Sequence, residues 1–139
     1  VPEEEYAIAL SKCNVVQEGT DITMIAWGSM LRMCKEAITS SKYSIELIDV
    51  RTLSPLDAET ILKSVQKTGR VVIVQEAQRT CSFSSELAAL ISEQALLHLK
   101  APVKRVAGYD VVTPLPKLEN YYLPSVEKIN KSIEEVVKF

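Results

Sequence analysis

Four consecutive β-branched residues, Val71, Val72, Ile73 and Val74, constrain this chain more than any other stretch. An uninterrupted run of that kind suits a strand covered on both faces, as in the middle of a parallel sheet. Gly69, just before it, can take positive φ and close a preceding helix. Glu76 follows at the carboxyl end of the strand, the edge where open α/β sheets gather ligands and partners. The plainer alternative is that its carboxylate meets solvent or a helix amino terminus.

Other elements arrange themselves around this strand. Residues 1–14 read as an acidic linker or arm, and residues 15–139 as one domain. Val15 and Val16 begin a short strand that ends at Gly19-Thr20-Asp21, a turn expected to send it antiparallel against the next strand, residues 22–27. Ser29 is placed to cap a helix carrying Met30, Met33, Cys34, Ala37 and Ile38 at helical spacing. Residues 44–50 form the following strand. Ser54 as cap, Pro55 at the first position and Asp57 three residues after the cap then start a helix with Ile61, Leu62 and Val65, which Gly69 stops.

After the central strand, residues 82–98 are helical by pattern, with Phe83, Leu87, Leu90, Ile91, Ala95 and Leu97 near one face. Residues 103–107 are a further parallel strand. Residues 108–124 hold three prolines without a clear period and read as a long ordered loop, a type that is usually functional. Ser125 caps a last helix with Val126, Ile129, Ile133, Val136 and Val137 inward, and with Glu127 facing Lys131 and Glu134 facing Lys138. Strands alternating with helices in this way predict a three-layer α/β/α sandwich, mostly parallel, with one antiparallel strand.

The formal net charge of −2 gives no sign of nucleic acid or an anionic membrane as partner, and Lys100, Lys104 and Arg105 form a solvated basic rim. Three cysteines with a single histidine argue against a disulfide framework or a zinc site and for a reducing compartment. No apolar run approaches the roughly 18 residues of a spanning helix. The opening Val1-Pro2-Glu3-Glu4-Glu5, without an initiator Met, is expected of a piece cut from a longer polypeptide.

The search for chemistry is mostly negative. Gly19, Gly28, Gly69 and Gly108 stand alone, so neither G-x-G-x-x-G nor G-x-x-x-x-G-K-[ST] is present. There is no G-x-S-x-G elbow. His98 lies late in a helix, where it suits the carboxyl end better than a role as base. Cys81 beside Arg79 reads as an inert thiol, and Met30 and Met33 as core filling. No catalytic, cofactor-binding or metal residue is assigned.

Several stretches together resemble one family: V-P-E at 1–3, E-G-T-D-I-T at 18–23, I-D-V-R-T-L-S-P-L-D at 48–57, S-V-Q-K-T-G-R-V-V-I-V-Q-E-A at 64–77, L-K-A-P-V-K-R-V-A-G-Y-D at 99–110 and Y-Y-L-P at 121–124. They look like the transketolase-type C-terminal domain of the beta subunit of the decarboxylating component of 2-oxo acid dehydrogenase complexes. The resemblance implies an assembly domain, inactive alone, in a heterotetramer of two alpha and two beta subunits. It implies that thiamine diphosphate and magnesium bind elsewhere in the full enzyme. It also implies a dihydrolipoyl acyltransferase whose subunit-binding domain docks on the paired beta subunits, and a location in the cytoplasm, mitochondrial matrix or plastid. G-Y-D with the proline-rich loop leans toward branched-chain 2-oxo acids, with pyruvate enzymes close by. Two departures stand out. Cys81-Ser82 replaces a frequent glycine, and Lys100 stands where an acid is common.

On this reading Glu76, Arg79, Tyr109, Tyr121 and Tyr122 belong to a subunit interface, and Glu134, Glu135 and Phe139 to the acyltransferase-docking surface. Two alternatives from the residues stay open: a free-standing α/β module that binds a small ligand at the sheet edge, and the corresponding domain of a transketolase or deoxyxylulose phosphate synthase.

Overall fold

The computed structural model describes residues 3–139, so Val1 and Pro2 of the expected arm lie outside the described residues. Five strands, β1 (Asn14–Gln17), β2 (Ile22–Ala26), β3 (Ile45–Asp49), β4 (Val71–Gln78) and β5 (Lys104–Gly108), make one sheet in the order β1-β3-β2-β4-β5. β4 runs parallel between β2 and β5, and β2 runs parallel to β3, so the β-branched run is interior as expected. Side chains alternate between two cores. On one face Met24, Leu47, Val72 and Val74 meet α1 (Met30–Thr39) and α5 (Val126–Lys138). On the other, Ile25, Ile48 and Ile73 meet α2 (Ala58–Thr68) and α3 (Phe83–Ala95). This is the three-layer sandwich that the alternation predicts.

The first strand is antiparallel, but its partner is β3 and not β2. β2 already has neighbours on both sides. Gly19 lets the chain cross the start of β3, since a β-carbon there would lie 2.2 Å from the carbonyl carbon of Ile45. The next two amides, those of Thr20 and Asp21, then donate to Ser44 O at 3.2 and 2.8 Å.

Helix boundaries differ from expectation where side chains choose distant partners. α2 starts at Ala58, not after Ser54, because Asp57 accepts from the Thr60 amide and serves as the cap. Its carboxylate also takes the Cys13 amide at 3.0 Å, tying the start of the domain to this helix. Gly69 ends α2 at φ 73°, in the left-handed region where glycine costs least. After α3 a 3-10 turn, Leu96–His98, tightens the chain and rotates Leu97 off the buried face, leaving it 97% exposed. β5 begins one residue later than predicted. The stretch read as loop contains α4 (Pro116–Tyr122), with proline at its first turn, a position proline tolerates. In α5 the Glu134–Lys138 pair forms at 3.1 Å. The Glu127–Lys131 pair does not form among the described residues, and Glu135 instead reaches Lys104 on β5 at 2.5 Å.

Beneath the sheet, Glu46 is 3% exposed and is held by Lys67, which also pairs with Glu18 at 3.1 Å. Burial pushes the Glu46 carboxyl upward, and the contacts from Lys67, Ser64 and the Gly19 amide outweigh it, so its pKa falls below the usual range.

Candidate functional site

At the carboxyl edge β4 leaves the core between Gln75, which is 1% exposed, and Glu76, which is exposed. Gln75 anchors the turn from within: its Nε2 donates to the carbonyls of Ala77 and Gln78, and its Oε1 accepts from the Ser84 amide at the start of α3. The turn closes through Cys81 at φ 52°, a left-handed conformation that explains why glycine would suit that place. Thr80 donates from both its amide and its hydroxyl to Asp110, each at 2.8 Å. Those two bonds hold the Asp110 carboxyl below the usual range.

Above the turn lies an open cleft of about 380 Å3, lined by Trp27, Ser29, Glu76, Glu119 and Tyr122 among others. Ser29 does not cap α1 with its side chain; its hydroxyl donates to the Glu76 carboxylate, bridging the ends of β2 and β4. Trp27 is fixed edge-on against Phe83, with ring centroids 5.5 Å apart. An adjoining cleft shares Ser29, Glu76 and Glu119 and adds Arg32.

The predicted interface residues are only partly brought together. Glu76 and Tyr122 line the same cleft. Tyr122 is just 6% exposed, however, so its ring shapes the site from inside the domain and does not present a contact face. Tyr109 and Tyr121 are exposed, and Lys128 Nζ lies 4.5 Å from the Tyr109 ring centre. Arg79 turns toward β5, where its guanidinium donates to the Arg105 carbonyl at 2.9 Å while Arg105 donates back to the Arg79 carbonyl at 3.1 Å. Val111, Val112, Leu115 and Leu118, exposed at 62, 93, 82 and 56%, extend this region into an apolar surface within the 108–124 segment that the sequence marks as functional. The cue was present in the sequence as apolar residues spread among prolines without a period that would bury them.

Glu134, Glu135 and Phe139 lie on or just beyond the last turns of α5. Both acids are engaged: Glu134 with Lys138 and with Lys42, and Glu135 with Lys104. Phe139 is 79% exposed beside a groove that includes Leu96 and Pro102. This end presents an exposed aromatic ring beside two acids that are already paired with lysines. Cys34 is buried, which pushes its thiol up to about 12. Cys13 is pushed to about 11 by burial and by the Asp57 charge.

The site defines a class first: a three-layer α/β domain with a reversed edge strand and an exposed apolar surface at the carboxyl end of its sheet. A family model described as "Transketolase, C-terminal domain" matches residues 11–129, and the chain belongs to that family. It is 43% identical to the pyruvate dehydrogenase E1 component subunit beta of Staphylococcus epidermidis and 44% identical to that of Staphylococcus aureus. Both alignments cover 100% of this chain and 44% of the relative, so the chain spans less than half of their length. Among solved structures, a split-gene transketolase, an inactive beta4 tetramer, superposes with a TM-score of 0.82. It shares 23% identity over 96% of this chain and 44% of that one, a likeness of fold.

Proposed function

We propose that this chain is the assembly domain of the beta subunit of a thiamine-diphosphate-dependent 2-oxo acid dehydrogenase. The observation that carries the reading is identity of 43–44% along the whole chain to pyruvate dehydrogenase beta subunits. The exposed apolar surface of residues 109–121 supports it, because monomers rarely expose so many neighbouring apolar side chains without a partner. The names of those relatives favour pyruvate as substrate over the branched-chain acids that G-Y-D suggested.

The residues described do not fit the cofactor. Glu76 and Glu119 line the cleft with the wrong charge for a diphosphate. Among the described residues there is also no group of three His, Cys, Asp or Glu able to hold magnesium. In this reading thiamine diphosphate and its metal sit in the rest of the enzyme, and this domain joins an alpha subunit and a second beta subunit through Glu76, Arg79, Tyr109 and Tyr121. Phe139 docks the acyltransferase as an aromatic anchor, with Glu134 and Glu135 as its rim. A reducing compartment suits the three free thiols.

The test is sedimentation of the chain with Leu115→Lys and Tyr121→Lys, followed by reconstitution of the full-length protein with its alpha subunit. Loss of self-association and of pyruvate decarboxylation, with the fold retained, is expected. Unchanged assembly of the variants would overturn the reading, as would saturable binding of thiamine diphosphate to the isolated domain in calorimetry.

A further inference from the structure

On the outer side of β5 a groove of about 260 Å3 gathers Arg79, Lys104, Arg105, Lys128 and Lys131 around a single carboxylate, Glu135. In a chain with 16 basic and 18 acidic residues, five cations around one anion is a strong local asymmetry. Lys104 uses Glu135. Among the described residues, Arg79, Arg105, Lys128 and Lys131 have no carboxylate at ion-pair distance. The mutual bonds between Arg79 and Arg105 hold two like charges side by side, an arrangement that an anion would stabilise. β5 is also an edge strand, so its outer backbone groups have no strand partner.

The same chain carries a segment of complementary chemistry. Glu3, Glu4 and Glu5 form its densest acidic run, and every residue from 3 to 10 is exposed. Tyr6, Ile8 and Leu10, exposed at 56, 51 and 82%, alternate with Ala7 and Ala9 in the period-two pattern of a strand that packs on something. Among the described residues none of the three glutamates makes an ion pair. The arm is tethered beside β1, through the Ser11 amide to Thr52 and the Cys13 amide to Asp57. β1 and β5 are opposite edges of the sheet, roughly 19 Å apart at about 4.8 Å per strand.

We propose that residues 3–10 of a second copy of this chain dock along β5, with Glu3, Glu4 and Glu5 in the basic groove and the alternating apolar residues against Tyr109, Val111 and Val112. This deepens the pairing proposed above by naming a further contact that shares Arg79 and Tyr109 with it, and its test is independent of the loop variants: a peptide in trans reports on the groove whether or not Leu115 and Tyr121 drive association.

The probe is a fluorescein-labelled peptide with the sequence of residues 1–10, titrated into the full chain and followed by anisotropy. Saturable binding is expected, weakening as salt rises from about 50 to about 500 mM. Lys128→Glu with Lys131→Glu should weaken it by about tenfold, and a peptide carrying Glu3→Lys, Glu4→Lys and Glu5→Lys should ignore the native groove and bind the reversed one. Circular dichroism checks the fold, with Lys128→Gln and Lys131→Gln as the milder pair. Absence of saturable binding would overturn the proposal, as would equal binding to native and reversed grooves. A scrambled peptide of the same composition that bound equally well would overturn it too, since charge alone would then suffice.

Discussion

The ring of Tyr122 lies on Gly108: a β-carbon at residue 108 would stand 2.6 Å from Cζ of that ring and 2.8 Å from the carbonyl oxygen of Glu76. The last residue of β5, the final turn of α4 and the end of β4 therefore meet at one point, and the cleft beside Glu76 takes its shape from that contact.

Gly108→Ala should push Tyr122 outward and loosen α4. Backbone on one side and an aromatic ring on the other leave no soft direction for relief, so the expected cost is about 1–3 kcal/mol. Denaturant unfolding measures it, and tyrosine fluorescence should report greater exposure of the ring in the folded state. An unchanged midpoint would contradict the packing described.

Asp57 links the cap of α2 to the Cys13 amide. Burial raises its pKa, but bonds from Thr60 and Cys13 outweigh this and lower it overall. A lowered folded pKa means that the stabilisation is fully present above the unfolded value, near about 4, and is lost as pH falls through the folded value. Asp57→Ala should cost about 1–2 kcal/mol at neutral pH and flatten the acid limb of stability against pH. Thermal melts across the acid range test both.

Removing the cation over Glu46 should act in the opposite sense on the acid transition. In Lys67→Met the buried carboxylate loses its principal partner, and its pKa moves up. Native stability is then lost at higher pH than in the unaltered chain. Because Lys67 is 41% exposed, the expected cost at neutral pH is on the order of 1–3 kcal/mol, below that of a fully buried pair. An acid-unfolding midpoint that did not rise would refute the coupling.

What the sequence disclosed follows from the range of the interactions. The interior strand at 71–74, the Gly69 stop and the inward face of α5 are written in neighbouring residues, and all were legible. The partner of β1 was not, since it depends on Gly19 lying over Ile45, a contact between residues remote in sequence. Ser29 looked like a cap because its local context is that of a cap; its hydroxyl goes instead to Glu76, 47 residues away. α4 was hidden by prolines that usually mark loops, although Pro116 stands at the one helical position that accepts it. Tyr122 read as a contact residue on side-chain type alone, and only its burial against Gly108 reassigns it.

Gln75 gives the carboxyl edge a division of labour. Its amide grips the turn from the buried side through the backbone carbonyls of Ala77 and Gln78, which every residue type supplies, while the side chains of Glu76, Arg79 and Thr80 add outer ties to Ser29, Arg105 and Asp110. Substitution at 77 and 78 can change what the domain recognises while its mounting stays the same. Related chains could therefore diverge in their choice of partner at this edge without re-engineering the sheet beneath it.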